Sequence, residues 1–134
     1  MEIALRATLI GWLAADLTLA AQLNAIVEEA PARTALPWLA LVASASTDWS
    51  TKTTLGREVR IALELHCRGD VPESAATLVA AIEARIDSLP RTQPGFTIAS
   101  HRFLRARAEQ RAESRRAVLL EYAFRLLATP TPET

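Results

Sequence analysis

The stretch REVRIALELHC, residues 57–67, contains the pattern that decides the fold. Apolar and mostly polar residues alternate through it, which is typical of a β-strand with one buried face. We therefore predict a strand over residues 57–67 whose apolar positions lie in the core. These positions are Val59, Ile61, Leu63, Leu65 and Cys67.

A polar loop and a second strand precede this segment. Residues 38–46 form a short apolar run that suits a buried strand, and Pro37 stands where that strand can begin. Residues 47–56 are mostly polar and join the two strands as an elongated hairpin. Because both ends of this loop are held by strands, it is a rigid platform on which contact residues can be presented.

Helices are predicted on both sides of the hairpin. Residues 2–15 form the first, and Asp16 can cap a second short helix that ends near Leu23. Pro72 and Pro90 mark the start and the end of a third. We assign the apolar face of the first helix to Ile3, Ala7, Ile10, Leu13 and Leu17. The stripe of the third comprises Ala75, Leu78, Val79, Ile82, Ile86 and Leu89.

The last third of the chain allows two interpretations. Residues 102–127 are rich in Ala, Arg, Glu and Leu, and this composition alone favours one long helix. The same residues also alternate with a period of two on either side of the polar sequence QRAES, residues 110–114, which predicts a β-hairpin. The hairpin is slightly favoured, with Val118, Leu120, Tyr122 and Phe124 in the core. Its turn lacks the Gly, Asn or Asp that tight hairpins prefer, so we expect a longer or less regular loop.

Length and charge limit the classes of function. With 134 residues and 50% hydrophobic content, the chain can bury one core, and we predict one domain over residues 1–128 followed by a flexible tail, 129–134. The net charge is zero, so no general attraction to nucleic acid or to an anionic membrane is expected. The charge is uneven, because residues 1–50 carry two basic and five acidic residues, net −3, and residues 102–116 carry six and two, net +4. Ordinary solvated strand faces are the simpler explanation of this asymmetry, and the alternative is that the chain pairs head to side with copies of itself.

Side chains that could carry out catalysis are scattered. His66 and Cys67 are neighbours in a strand and point to opposite faces, so they cannot act together as base and nucleophile. We interpret Cys67 as a small core residue, and we expect His66 and His101 at solvated or edge positions. No Cys and His spacing suits a zinc site, and the isolated glycines form no phosphate loop. The sequence therefore predicts a protein that is not an enzyme and holds no cofactor or metal.

Three stretches carry a resemblance to a known family. They are LRATLIGWLAADLTLAAQL (5–23) with LPWLALVAS (36–44), DWSTKTTLGREVRIALELHCRG (48–69), and HRFLRARAEQRAESRRAVLLEYAFRLLA (101–128). Together they cover nearly the whole chain. The sequence resembles the tail-completion, or tail-terminator, family of long-tailed phages and of the gene transfer agents of alphaproteobacteria. The resemblance also favours two strands over one helix in residues 102–127.

The resemblance implies an α+β fold, in which a small antiparallel sheet is packed with two or three helices. It further implies a homo-oligomer, a hexameric ring that caps the tail-tube protein and stops its polymerisation. Such a ring offers the docking surface for the connector or stopper protein of the filled head, and DNA passes through its centre without sequence-specific binding. The protein would be assembled in the bacterial cytoplasm and lie at the head–tail junction of the particle, without a membrane. Whether the particle is a phage, a prophage product or a gene transfer agent stays open.

The hairpin loop is the predicted site of protein contact. Trp49 is the kind of residue that anchors interfaces, and Asp48, Lys52 and Arg57 can set the register of a partner through charge. The alternative is an ordinary hairpin tip whose Trp49 folds back on the sheet. The predicted contact residues are Asp48, Trp49, Ser50, Lys52, Thr53 and Arg57. Two other functions stay open, a small-ligand-binding α+β module and another component of the head–tail connector.

Overall fold

The fold consists of three helices and six strands in the computed structural model, which describes residues 1–70 and 72–130. Strands hold 45% and helices 27% of the residues. The helices are α1 (Glu2–Ala14), α2 (Leu17–Gln22) and α3 (Pro72–Asp87). The strands are β1 (Ile26–Val27), β2 (Trp38–Asp48), β3 (Gly56–Arg68), β4 (Thr92–Gln93), β5 (Phe96–Arg111) and β6 (Arg115–Ala128). Of the predicted tail, residues 131–134 lie outside the described range.

All six strands belong to one sheet, in the order β1-β2-β3-β6-β5-β4. The sheet is curled into a half-barrel, so the prediction of a small sheet packed with helices is wrong. Two causes explain the difference. β5 begins at Phe96, well before the predicted hairpin, and β1 and β4 have two residues each, too few to show a period of two. Bulges in β2 and β5 add local twist and bend these strands.

The central strands β3 and β6 confirm the alternation found in the sequence. They pair antiparallel along their whole length, from Gly56 opposite Leu127 to Arg68 opposite Arg115. Their apolar positions meet in the core, and Leu63, Leu65, Leu120 and Phe124 have no exposed surface. The hairpin interpretation of the last third is therefore correct, and a helix through this region is excluded.

The helices pack on the core face of the sheet, but the predicted face of α1 is only partly correct. Leu13 is buried and Ile10 packs against the core as predicted, whereas Ile3 and Leu17 are 82% and 85% exposed. The fully buried residues Leu5, Leu9 and Leu13 form a narrower stripe than the face chosen from the sequence. The stripe of α3 is confirmed, and Asp16 caps α2 by accepting hydrogen bonds from two backbone N–H groups.

A mutual clamp joins α1 to α3. The Trp12 Nε1 donates to the carbonyl oxygen of Arg85 at 2.8 Å, and the Arg85 Nε donates to the carbonyl oxygen of Trp12 at 2.8 Å. The guanidinium carbon also lies 3.5 Å from the centre of the indole ring, a cation–π contact. No described helix has the length and apolarity needed to cross a membrane.

The turn between β5 and β6 is tight but irregular. Arg111 faces Arg115, so three residues form the loop, and Glu113 and Ser114 both have positive φ, 61° and 56°. Left-handed backbone is uncommon for residues other than Gly, which agrees with the expectation of an unusual loop. The backbone N–H of Gly69 donates to the Ser114 carbonyl oxygen and holds the turn against the end of β3.

Candidate docking surface

The loop between β2 and β3 is ordered by its own hydroxyl groups. The Ser50 Oγ donates to Asp48 Oδ1 at 2.6 Å and accepts from the backbone N–H of Gly56 at 3.0 Å. The Thr51 Oγ1 accepts from the N–H of Thr54 at 3.0 Å. Side-chain hydroxyls that bond to backbone N–H groups in this way can fix the conformation of a turn where no regular β-ladder is present. The loop is therefore held as a defined platform, as the sequence predicted.

Gly56 is required where the loop re-enters the sheet. Its backbone accepts a hydrogen bond from the Trp49 N–H at 2.9 Å and closes the hairpin. A Cβ at this position would collide with the carbonyl oxygens of Trp49 and Leu126. Glycine thus allows three backbone segments to approach closely at the base of the loop.

An open groove of about 490 Å³ lies between this loop and the beginning of α1. Two exposed apolar side chains line it, Ile3 at 82% and Leu55 at 71% exposure. Met1 adds a half-buried apolar side chain beside them. Large apolar side chains that remain exposed together mark sites of protein contact more often than chance. The groove is the apolar part of the candidate surface.

Charged groups surround this apolar part. Asp48, Arg57 and Glu2 line the same groove. The Ser44 Oγ donates to Glu2 Oε2 at 2.6 Å, and this hydrogen bond is the main reason why the pKa of Glu2 lies below its usual value. The Glu2 carboxylate is therefore held ionised in a fixed position. An apolar centre with an ionic rim is the usual anatomy of an interface.

Trp49 points away from the groove. Its ring is half-buried on the opposite face of the sheet, where the Arg125 guanidinium carbon lies 5.3 Å from the ring centre. This placement matches the alternative in which Trp49 folds back on the sheet. The residue helps to hold the hairpin tip, and only part of its surface remains exposed.

The six predicted contact residues are thus divided among three places. Asp48, Ser50 and Arg57 line the groove, Lys52 and Thr53 are exposed at the tip, and Trp49 lies on the other face. A partner that contacts the groove and the tip would touch all of them except Trp49. That any of them contacts a partner stays a prediction.

Ile3 and Leu55 are candidate contact residues that the sequence did not indicate. Ile3 was assigned to the core face of α1, and the i, i+4 spacing of Leu5, Leu9 and Leu13 was the signal that could have excluded it. Leu55 was passed over because the loop as a whole is polar. A single leucine in such a loop, next to a glycine, has no core position to occupy.

A second open cavity, of about 520 Å³, lies where Cys67 meets the start of α3. Cys67 is 4% exposed, and burial raises the pKa of its thiol, which confirms it as a core residue. His66 is also buried, contrary to expectation, because the ring of Trp38 on the neighbouring strand stacks on it at 4.1 Å. Within residues 1–70 and 72–130, no three His, Cys, Asp or Glu side chains are grouped to hold a metal ion.

Comparison with known families agrees with the resemblance in the sequence. The profile of the tail completion protein gp17 family matches residues 7–126. The chain belongs to this family. It is therefore a structural protein of a phage or phage-like tail, and it is located in the phage or gene-transfer-agent particle.

Structural comparison of this tail-completion protein shows the same fold in a solved particle. A chain of the virion of a native gene transfer agent particle superposes with a TM-score of 0.74 and is 23% identical. The superposition covers 92% of this chain and 94% of that one, so the two are of similar extent. Among curated protein sequences, none matches this chain.

Proposed function

We propose that this tail-completion protein forms a ring at the end of the tail tube, stops the growth of the tube and provides the docking surface for the head connector. Ring, tube and connector are parts of the function that the family resemblance implies, and DNA would pass through the ring centre. The match of the tail completion family over residues 7–126 is the observation that carries the proposal.

The groove at the hairpin loop is the surface best suited to meet the tube or the connector. Ile3 and Leu55 come from the first turn of α1 and from the loop, so both lie at one end of the subunit. A ring has two annular faces, and a surface at the end of a subunit can belong to one of them. Exposed apolar anchors with Asp48 and Arg57 at the rim would supply affinity and register.

Deletion of the gene tests the function itself. Cells that make the particle without this protein should accumulate overlong tubes without heads, beside filled heads without tails, because stopping and docking depend on the same ring. Electron microscopy of lysates measures both. Tails of normal length, joined to heads at the wild-type frequency, would refute the proposal.

Leu55→Ser tests the docking surface. The side chain is exposed, so the melting temperature should hardly change, whereas the fraction of heads joined to tails should fall because six copies act together. The matched control is Leu17→Ser, which exchanges a leucine that is 85% exposed at the start of α2. Equal joining frequencies for the two variants would assign docking to another surface while leaving the tail-completion role in place.

A further inference from the structure

The sheet has two edges that its own strands leave uncovered. β1 pairs with β2 only at Leu39 and Ala40, and β4 pairs with β5 only at Phe96 and Thr97. Among the described residues, no strand pairs with the later part of β2 or of β5 on the outer side. We define the β2 free edge as residues 43–48 and the β5 free edge as residues 105–111. Both begin directly after a bulge and contain none themselves.

The direction of the backbone groups on the β2 free edge follows from its pairing. The Trp49 N–H donates to the Gly56 carbonyl oxygen, so this residue turns its groups towards β3. Hydrogen-bonding direction alternates along an antiparallel strand. Ser44, Ser46 and Asp48 therefore turn their N–H and C=O groups outward, away from β3.

The direction of the backbone groups on the β5 free edge follows from its pairing with β6. The Ala128 N–H donates to the Leu55 carbonyl oxygen on the β3 side, so Ala128 does not bond to β5. The odd-numbered residues of β6 therefore bond to β5, and after the two bulges they stand opposite the odd-numbered residues of β5. The residues that turn their backbone groups outward are Ala106, Ala108 and Gln110. Three residues on each edge thus present unpaired ladder groups.

The β2 free edge lacks the usual protection against pairing. Monomeric proteins place Lys, Pro or inward-pointing charge on an exposed edge, because an open ladder is a template for another strand. Residues 43–47 are Ala-Ser-Ala-Ser-Thr, and the edge contains no lysine, no proline and a single charged residue, Asp48, at its end. An edge of this kind is suited to be covered in the assembled state.

We propose that the β2 free edge of one copy pairs with the β5 free edge of a second copy and continues the sheet from subunit to subunit. The polarity agrees, because β2 runs antiparallel to β5 within one sheet, so the next copy continues an antiparallel order. In the register that pairs all three outward residues of one edge with all three of the other, Ser46 stands opposite Ala108. The proposal deepens the ring function and rests on it for the closure of the ring.

Side chains and charge fit this pairing. On the face away from the core, this register places Arg107 and Arg111 of the neighbour opposite Thr47 and Ala43, whose small side chains leave room for the long arginines. The segment with β2 is acidic, net −3 over residues 1–50 from two basic and five acidic residues. The segment with β5 is basic, net +4 over residues 102–116 from six and two. The Glu28 carboxylate, 44% exposed where β1 ends, is within this acidic region.

Contacts between unlike edges are heterologous, and a fixed rotation between neighbours closes them into a ring. Two isologous arrangements, β2 with β2 or β5 with β5, would stop at a dimer. They would also bring like-charged segments together, which is unfavourable. A ring therefore follows from unlike edges, and each copy contributes one of each.

Proline at an outward-facing position tests the pairing, because it removes an N–H that has no partner within the chain. Ser46→Pro and Ala108→Pro should each convert the wild-type oligomer to a monomer. The controls Ser46→Ala and Ala108→Ser keep the N–H group and should keep the oligomer. Sedimentation measures the size of each, and a circular-dichroism melt shows that each is folded.

Mixing the two proline variants makes the test specific. Ser46→Pro retains an intact β5 edge and Ala108→Pro an intact β2 edge, so the mixture should form a one-to-one dimer and nothing larger. Oligomers of wild-type size in either variant alone, or a mixture that stays monomeric, would overturn the pairing. So would wild-type protein that stays monomeric at its highest soluble concentration.

Disulfide trapping covers the case in which a proline variant does not fold. In a Cys67→Ser background, Ser46→Cys and Ala108→Cys chains should form a covalent one-to-one dimer on mixing, because opposed outward residues have Cα atoms about 5.5 Å apart. Arg107→Cys, whose side chain lies on the other face, is the control that should not cross-link. Absence of the covalent dimer while the wild-type ring persists would refute edge pairing and leave the ring function standing. If deletion of the gene disturbs the particles but the purified protein forms no ring in solution, pairing between copies is refuted, and a strand of another particle protein would be the partner of the free edge.

Discussion

The sheet has two kinds of long strand, which are similar in length but differ in burial and pairing. The central strands are β3 and β6, and the outer strands are β2 and β5. In β3 and β6 the apolar side chains on the core face are buried to within a few per cent, and both edges of each strand are paired. In the second halves of β2 and β5 most side chains on both faces are exposed, and one edge of each is open. The centre therefore supplies the stability of the fold, and the outer strands supply surface for assembly.

This difference also explains how three helices are sufficient to cover the core of a six-stranded sheet. α1 and α3 cover only the core face over the central strands, and the arms of the sheet extend beyond them. An exposed arm costs little stability when the centre is complete. The sequence of such an arm can therefore be adapted to contact with a neighbouring subunit.

The largest effect on stability is expected at the centre. Leu63→Ala removes a fully buried side chain of β3 and should lower the free energy of unfolding by about 2–5 kcal/mol through lost burial and a residual cavity. Urea unfolding measures it. Leu55→Ala, which shortens an exposed leucine in the same hairpin, is the control and should change the free energy by less than about 0.5 kcal/mol. Equal losses of unfolding free energy in the two variants would mean that the centre of the sheet and its periphery do not differ in their contribution to stability.

An intermediate effect is expected where the helices meet. Arg85→Ala removes the cation on Trp12 and the hydrogen bond to its carbonyl oxygen, and should cost about 1–3 kcal/mol. Arg33→Ala, an exposed arginine in a loop, controls for the loss of charge. A thermal melt that gives the same midpoint for both variants would show that the clamp adds nothing to the packing of α1 on α3.

A smaller effect is expected on the outer strands. Arg105 pairs with Glu121 across β5 and β6, yet its side chain is 60% exposed. Water and salt screen such a pair, so Arg105→Ala should leave the melting midpoint close to that of Arg102→Ala, which removes an exposed arginine in the same strand. A midpoint as low as that of Arg85→Ala would contradict the view that the arms contribute little to stability.

The smallest effect depends on pH and concerns Glu2. Because the pKa of Glu2 is lowered in the folded protein, its carboxylate adds stability above the ordinary glutamate pKa, and this stability is lost as the pH falls through the lowered value. Wild type should therefore exceed Glu2→Gln slightly at neutral pH and equal it in acid. Unfolding curves over a pH series test this, with Glu29→Gln as the control. A gap that persists or widens in acid would contradict the assignment.

The same contrast explains what could be predicted from the sequence. β3 and β6 were correct because burial of one face requires alternation, and alternation is visible in a single chain. The fold class was wrong because β1 and β4 are too short to show a pattern. At the start of β5, the alternation of Phe96, Thr97 and Ile98 directly after Pro94 and Gly95 was the signal that could have extended the predicted strand back to residue 96.

At the candidate surface, the missing information was tertiary. The hairpin loop could be predicted as a platform from its polarity and flanking strands. The burial of His66 depends on Trp38, which stands directly opposite it in the register of β2 and β3. The groove depends on the approach of α1 to the loop, which brings Ile3 beside Leu55. No local pattern encodes either pairing.

Amide hydrogen exchange tests most directly whether the outer strands are the surface of assembly. The account predicts that the N–H groups of Ser44, Ala106 and Gln110 exchange slowly in the wild-type oligomer and rapidly in the Ala108→Pro monomer. The N–H groups of Leu63 and Leu120 should be protected in both. Rapid exchange of the three outward groups in the intact oligomer would contradict it, because the edges of the sheet would then be open in the assembled state.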